Sequence, residues 1–182
     1  VIERPLSIIK ELVENSLDAG ATEIDVRIES GGAELILVRD NGRGIEEADF
    51  ELALQRHCTS KLTNAEQLRE LQSLGFRGEA LASIGAVSRL NLTARTVDIP
   101  HAFEIFCDYG DLSDTRPWAS YPVGTSVEVA DLFSNTPARR KFLRQARTEN
   151  LQISQLLKHM AFTHENVSIV LHVDGKKVIN AT

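Results

Sequence analysis

The sequence has only two cysteines in 182 residues, Cys58 and Cys107, and they lack metal-ligand spacing. That excludes a disulfide framework and a cysteine-based zinc site, and points to a reduced, intracellular setting. The five histidines are scattered and form no close pair. No apolar run approaches the roughly 18 residues of a membrane span. There is no signal-peptide pattern, so no membrane partner is expected. Internal repeats, low-complexity tracts and a clear linker are also missing. There is no opening Met: the chain begins at Val1, in the middle of a motif. It is read as a single domain over residues 1–182, truncated at both ends. Basic residues are scarce at the front, where residues 1–50 carry 5 against 12 acidic ones. Residues 134–182 reverse this, with 8 basic and 3 acidic. The acidic front does not suit a nucleic-acid surface, whereas the charge of the last part is compatible with one.

What is present is an ordinary globular composition, 42% hydrophobic, with ample material for a core. Residues 5–20, PLSIIKELVENSLDAG, read as a helix. At about 100° per residue, Leu6, Ile8, Ile9, Leu12, Val13 and Leu17 share one half of the wheel. Glu11, Asn15 and Asp18 share the other. Pro5 suits a first helical position and Gly20 a left-handed stop. The polar stripe suits either a solvated face or a site that holds a water and a cation side by side.

Residues 23–29 alternate as a half-buried strand. Residues 35–38 make a second strand, joined to it by Gly31-Gly32 as a hairpin. The second strand runs into Asp40-Asn41-Gly42-Arg43-Gly44. An Asp at a strand end beside such a loop is able to accept from an exocyclic amine, and the glycines allow close approach of a ligand. An ordinary Asn-Gly turn fits the same residues. Residues 46–57 read as a helix. The polar stretch Cys58-Thr59-Ser60-Lys61 follows, then a short helix to Leu71. Gly75-Phe76-Arg77-Gly78-Glu79-Ala80-Leu81 places glycines at spacing three before a helix start, which suits a phosphate cradle and a lid. Neither the P-loop pattern nor the dinucleotide fingerprint is matched. Strands are expected at 88–96, 102–109 and 124–132, around an irregular acidic stretch at 110–122. Trp118 in that stretch reads as packing. A basic helix follows from 135 to 144, with Arg139, Arg140, Lys141 and Arg144. An amphipathic helix spans 148–163, and a hairpin closes the chain at 167–179. The order favours a mixed sheet covered by helices on one face.

The segments KELVENSLDAGAT, RDNGRGI, TSKL, LGFRGEALASI, VGTSVEV and DLFSNTPARRKFL occur in this order over most of residues 1–150. Together they resemble the split nucleotide-binding fold of type II topoisomerases, the large heat-shock chaperone, histidine kinases and MutL. Within that group the chain resembles the MutL mismatch-repair family. The resemblance implies an α+β fold, a two-layer sandwich of a mixed, mostly antiparallel sheet with helices on one face (the Bergerat fold). It implies slow ATP hydrolysis with ATP and Mg²⁺ bound. Glu11 would activate the attacking water and Asn15 would be the protein ligand of Mg²⁺. Asp40 would accept from the adenine amine, Gly42 and Gly44 would leave room for the base, and Thr125 would support Asp40. Gly75, Phe76, Arg77, Gly78, Glu79, Ala80 and Leu81 would wrap the phosphates, with Thr59 and Lys61 bordering them. Arg139, Arg140, Lys141 and Arg144 are candidates for DNA contact, against the alternative of a solvated or internally paired basic helix. The resemblance further implies an ATP-gated homodimer of the full-length protein, a MutS-type mismatch sensor and a MutH-type endonuclease or a helicase as partners. A second ATPase subdomain and a C-terminal dimerisation domain would lie outside these residues. The location would be cytoplasmic in a bacterium, or nuclear in a eukaryote. Two other functions fit less well: a topoisomerase- or chaperone-type ATPase, and a non-catalytic nucleotide-binding scaffold.

Overall fold

The structure is a computed structural model that describes residues 2–55 and 79–181. Helix α1 runs over Pro5–Asp18, with Pro5 in the first turn. It ends where expected: Gly20 takes φ 75°, the Gly20 N–H reaches the Leu17 carbonyl at 2.9 Å, and the Ala21 N–H reaches Ser16 at 3.1 Å. These two bonds satisfy carbonyls that a helix end leaves open. Ile8, Ile9, Leu12 and Val13 are buried. Burying side chains of this kind is worth about 1.5–3 kcal/mol each, so the apolar face clamps α1 to the sheet.

The sheet contains β1 (Glu23–Glu29), β2 (Leu35–Asp40), β3 (Arg89–Arg95), β4 (Phe103–Asp108), β5 (Asp111–Leu112), β6 (Arg116–Pro117), β7 (Gly124–Ala130), β8 (Ser168–Val173) and β9 (Lys176–Ala181). Its spatial order is β5-β4-β3-β7-β2-β1-β8-β9, with β6 also on β4. Among the described residues β1 and β8 pair in parallel, and every other pair is antiparallel. Ile24, Val26, Ile28, Ile36, Val38, Leu90, Leu92, Val127, Val129, Ile169 and Leu171 are buried in one core. Their period of two follows from the pleat. The expected mixed sheet with a helical layer is thus present.

Among the described residues the remaining helices are α2 (Phe50–Leu54), α3 (Ala80–Gly85), α4 (Pro137–Lys141) and α5 (Ala146–Thr163). Four expectations need correction. The helix expected over 46–57 is a 3-10 turn at Glu47–Asp49 and then a short helix, because Gln55 is already extended at φ −86°, ψ 133°. The basic helix ends at Lys141 rather than Arg144. The stretch 110–122 holds two two-residue strands, because the edge of β4 has free backbone groups to offer them. The fourth is β2, which is two residues longer than the expected 35–38 and includes Asp40 itself. No helix among the described residues is long and apolar enough to cross a membrane.

Candidate functional site

Asp40 is the last residue of β2, in phase with the buried Ile36 and Val38. The pleat therefore turns it toward α1. Its Oδ1 accepts the Gly42 N–H at 2.8 Å and the Thr125 N–H at 3.2 Å. Its Oδ2 accepts the Ser16 hydroxyl at 2.7 Å. Burial pushes the Asp40 carboxyl above the ordinary carboxylate range, and the Ser16, Gly42 and Thr125 donors pull against that shift.

This carboxylate lines a cleft with Leu12, Asn15, Ser16, Ala19, Val38, Arg43, Gly44, Leu81, Thr125 and Val127. The walls are mostly apolar, and one fixed acceptor stands among them. That combination suits a flat heterocycle carrying an N–H. On the exposed side of α1 runs a second, wider cleft. Glu11, Glu14, Asn15 and Asp18 line it from α1, and His159, Met160 and Thr163 from α5. Asn15 lines both clefts, whereas Glu11 lines only the second. Among the described residues neither the Glu11 carboxylate nor the Asn15 amide has a hydrogen-bond partner in the fold.

The loop after β2 is pinned to the end of α1. Asn41 Oδ1 accepts the N–H groups of Thr22 and Glu23 at 2.8 and 2.9 Å. Arg43 donates to the Asp18 carbonyl at 3.0 Å, so the part of Asp18 that meets the loop is its backbone. The glycines are fixed by the protein's own packing. A Cβ on Gly44, at φ +77°, would lie 2.1 Å from the Arg95 carbonyl oxygen. One on Gly124, at φ +133°, would lie 2.0 Å from the Asp40 carbonyl oxygen. Gly124→Ala is therefore expected to destabilise the domain by roughly 3 kcal/mol, combining left-handed strain with overpacking. A fall in the urea midpoint without a change in slope would show it.

The structure brings Asn15, Asp40, Gly44, Leu81 and Thr125 to one cleft and sets Glu11 beside it. Gly42 packs against Ala19 behind the loop. Glu79 and Ala80 open α3 without lining either cleft. Thr59, Lys61, Gly75, Phe76, Arg77 and Gly78 lie outside the described residues. Thr125 meets Asp40 through its backbone N–H, not its hydroxyl. The sequence reading missed Ser16 and Gly124. Ser16 had a signal: it follows Leu12 by four residues, so a hydroxyl sits within the apolar stripe.

The basic segment is largely paired. The Arg139 guanidinium lies 5.2 Å from the Phe133 ring centroid. Arg140 bonds the Leu132 carbonyl and the Ser134 hydroxyl. Arg144 donates to Gln152 at 3.4 Å. Of the four candidates only Lys141 is without a partner among the described residues.

Comparison with known proteins gives the chain relatives. Residues 4–136 match the family described as "Histidine kinase-, DNA gyrase B-, and HSP90-like ATPase". The chain is 54% identical over 178 residues to the DNA mismatch repair protein MutL of Escherichia fergusonii, covering 98% of this chain and 29% of that protein. It is 53% identical over 176 residues to MutL of Haemophilus influenzae, covering 97% and 28%. The chain thus spans less than a third of the length of these relatives. Its structure is similar to the Aquifex aeolicus MutL ATPase domain complexed with ADP, at a TM-score of 0.81 and 37% identity. That match covers 100% of this chain and 65% of the other.

Proposed function

The chain belongs to the histidine kinase-, DNA gyrase B-, and HSP90-like ATPase family and is similar along its length to the MutL ATPase domain within it; from that premise we propose that it binds ATP in the Asp40 cleft and hydrolyses it beside Glu11. One observation carries this reading. Three donors hold the Asp40 carboxylate at an apolar cleft, and one acceptor position is left over. The adenine amino group donates to that position, and Leu12, Ala19, Val38, Leu81 and Val127 flank the ring. Guanine presents a carbonyl there, and two acceptors repel.

From the base, the triphosphate passes Asn15 toward Glu11. The Asn15 amide, one turn from a carboxylate and without a partner among the described residues, fits a hard cation that keeps most of its water. Asn15 Oδ1 would be the protein oxygen on Mg²⁺, which supplies charge neutralisation at the phosphates. Glu11 accepts the proton of the attacking water. Thr59, Lys61 and residues 75–80 would enclose the phosphates, with Leu81 against the base. Calorimetry with ATP and GTP tests this reading. ATP is expected to bind at least about tenfold more tightly, the return on one well-placed hydrogen bond and one avoided clash. Equal affinities would remove the adenine assignment.

In the full-length protein this site would serve mismatch repair as an ATP-gated dimerisation switch. The partners would be a MutS-type mismatch sensor, a MutH-type endonuclease or a helicase, and DNA. For DNA, pairing singles out Lys141. Lys141→Ala is expected to weaken duplex binding and to lower the slope of log affinity against log salt by about one. Arg140→Ala should instead lower thermal stability, since it removes internal bonds. A salt slope unchanged in Lys141→Ala would take that residue off the DNA surface.

A further inference from the structure

The Asp40 carboxylate has a single acceptor position to give a ligand, and one hydroxyl on α1 makes it single. Each carboxylate oxygen offers two lone-pair positions. Both on Oδ1 are occupied, by the N–H groups of Gly42 and Thr125 at 2.8 and 3.2 Å. The Ser16 hydroxyl, 2.7 Å away, takes one of the two on Oδ2. Ser16 is itself only 3% exposed. The Leu12 carbonyl lies 3.1 Å from the same oxygen and competes for its single proton, which goes to the nearer, charged Asp40 Oδ2.

We propose that Ser16 is a positioning residue for base selection, holding Asp40 Oδ2 as a one-position acceptor so that the pocket takes a 6-amino purine and refuses a 6-oxo purine. This rests on the adenine reading of the cleft. Without the hydroxyl, Oδ2 has two open positions in a poorly hydrated site. The carboxyl is then free to tilt between them or to hold a proton there, and a protonated Oδ2 donates to a 6-oxo group. Burial already favours the protonated form, and the Ser16 hydrogen bond is the largest influence opposing it. The other charged group lining this cleft among the described residues is Arg43. On the reverse side of the strand, Glu23, Asp25 and Arg39 share an opening with Asp40. None of these replaces a donor on Oδ2.

The test compares ATP with inosine triphosphate, which differs at the 6 position, on the whole protein. Wild type, Ser16→Ala and Ser16→Thr are assayed for kcat and KM, with thermal unfolding to check the fold. Wild type is expected to favour ATP in kcat/KM by at least about tenfold, the worth of one hydrogen bond to a charged group. In Ser16→Ala the ratio should fall toward unity, and the change should appear in KM. Ser16→Thr, which keeps the hydroxyl, should restore the preference. A ratio in Ser16→Ala equal to that of wild type overturns the role of Ser16, as does a loss confined to kcat. A wild type that fails to distinguish the two nucleotides overturns the adenine reading instead.

Discussion

Glu11→Ala is expected to leave ATP bound while turnover falls about 10²–10⁴-fold, the usual loss on removing a general base. Glu11 lines the wide cleft and takes no part in the lining around Asp40. Its carboxylate contributes no hydrogen bond to the fold among the described residues, so alanine removes chemistry and little structure. The substitution also lies on the solvent side of α1, away from Ile8, Ile9, Leu12 and Val13. Equilibrium binding of ATP and single-turnover hydrolysis, measured on the same preparation, separate the two effects. A loss of affinity that matches the loss of rate would mean that Glu11 holds the nucleotide rather than activating water.

Asp40→Asn is expected to do the opposite, weakening ATP about 100-fold, the range for a lost hydrogen bond to a charged group plus a repulsive contact. The asparagine amide has one acceptor oxygen. The N–H groups of Gly42 and Thr125 claim it, because they meet the same carboxylate oxygen now. The NH₂ then stands where Oδ2 was, facing both the Ser16 hydroxyl and an adenine amine. Donor meets donor at the one place a ligand needs an acceptor. The fold should survive, since asparagine is nearly isosteric and the buried charge is gone. Titration calorimetry beside a thermal melt checks both halves. Unchanged affinity would show that the base binds elsewhere.

The parts legible in the sequence were those governed by short-range pattern. The period of α1 placed Glu11 and Asn15 one turn apart on its polar side, and the structure gives both a place on the wide cleft. The apolar run Leu35 to Val38, leading straight into Asp40, pointed to a carboxylate at a strand end. What stayed hidden depends on partners far away in the chain. Gly124 looked like an ordinary strand opening, but its missing side chain lets β7 press against the Asp40 carbonyl. Thr125 was marked as a support for Asp40, but the sequence does not show that its backbone N–H is the group that provides it. Ser16 shows in the sequence only as a hydroxyl within the apolar stripe, without a purpose until β2 places a carboxylate over it. The basic run at 139–144 left two readings open, a cationic face for DNA and a solvated or internally paired helix. Its arginines are held by Phe133, Leu132, Ser134 and Gln152, contacts that charge counting does not foresee.

The site stands or falls on where the nucleotide lies. A crystal structure with Mg²⁺ and a non-hydrolysable ATP analogue measures that directly. We expect the adenine amine within hydrogen-bond distance of Asp40 Oδ2, Asn15 Oδ1 on the metal, and Glu11 facing the terminal phosphate across one water. An analogue whose base lies outside the Asp40 cleft, or whose terminal phosphate points away from Glu11, would contradict the account.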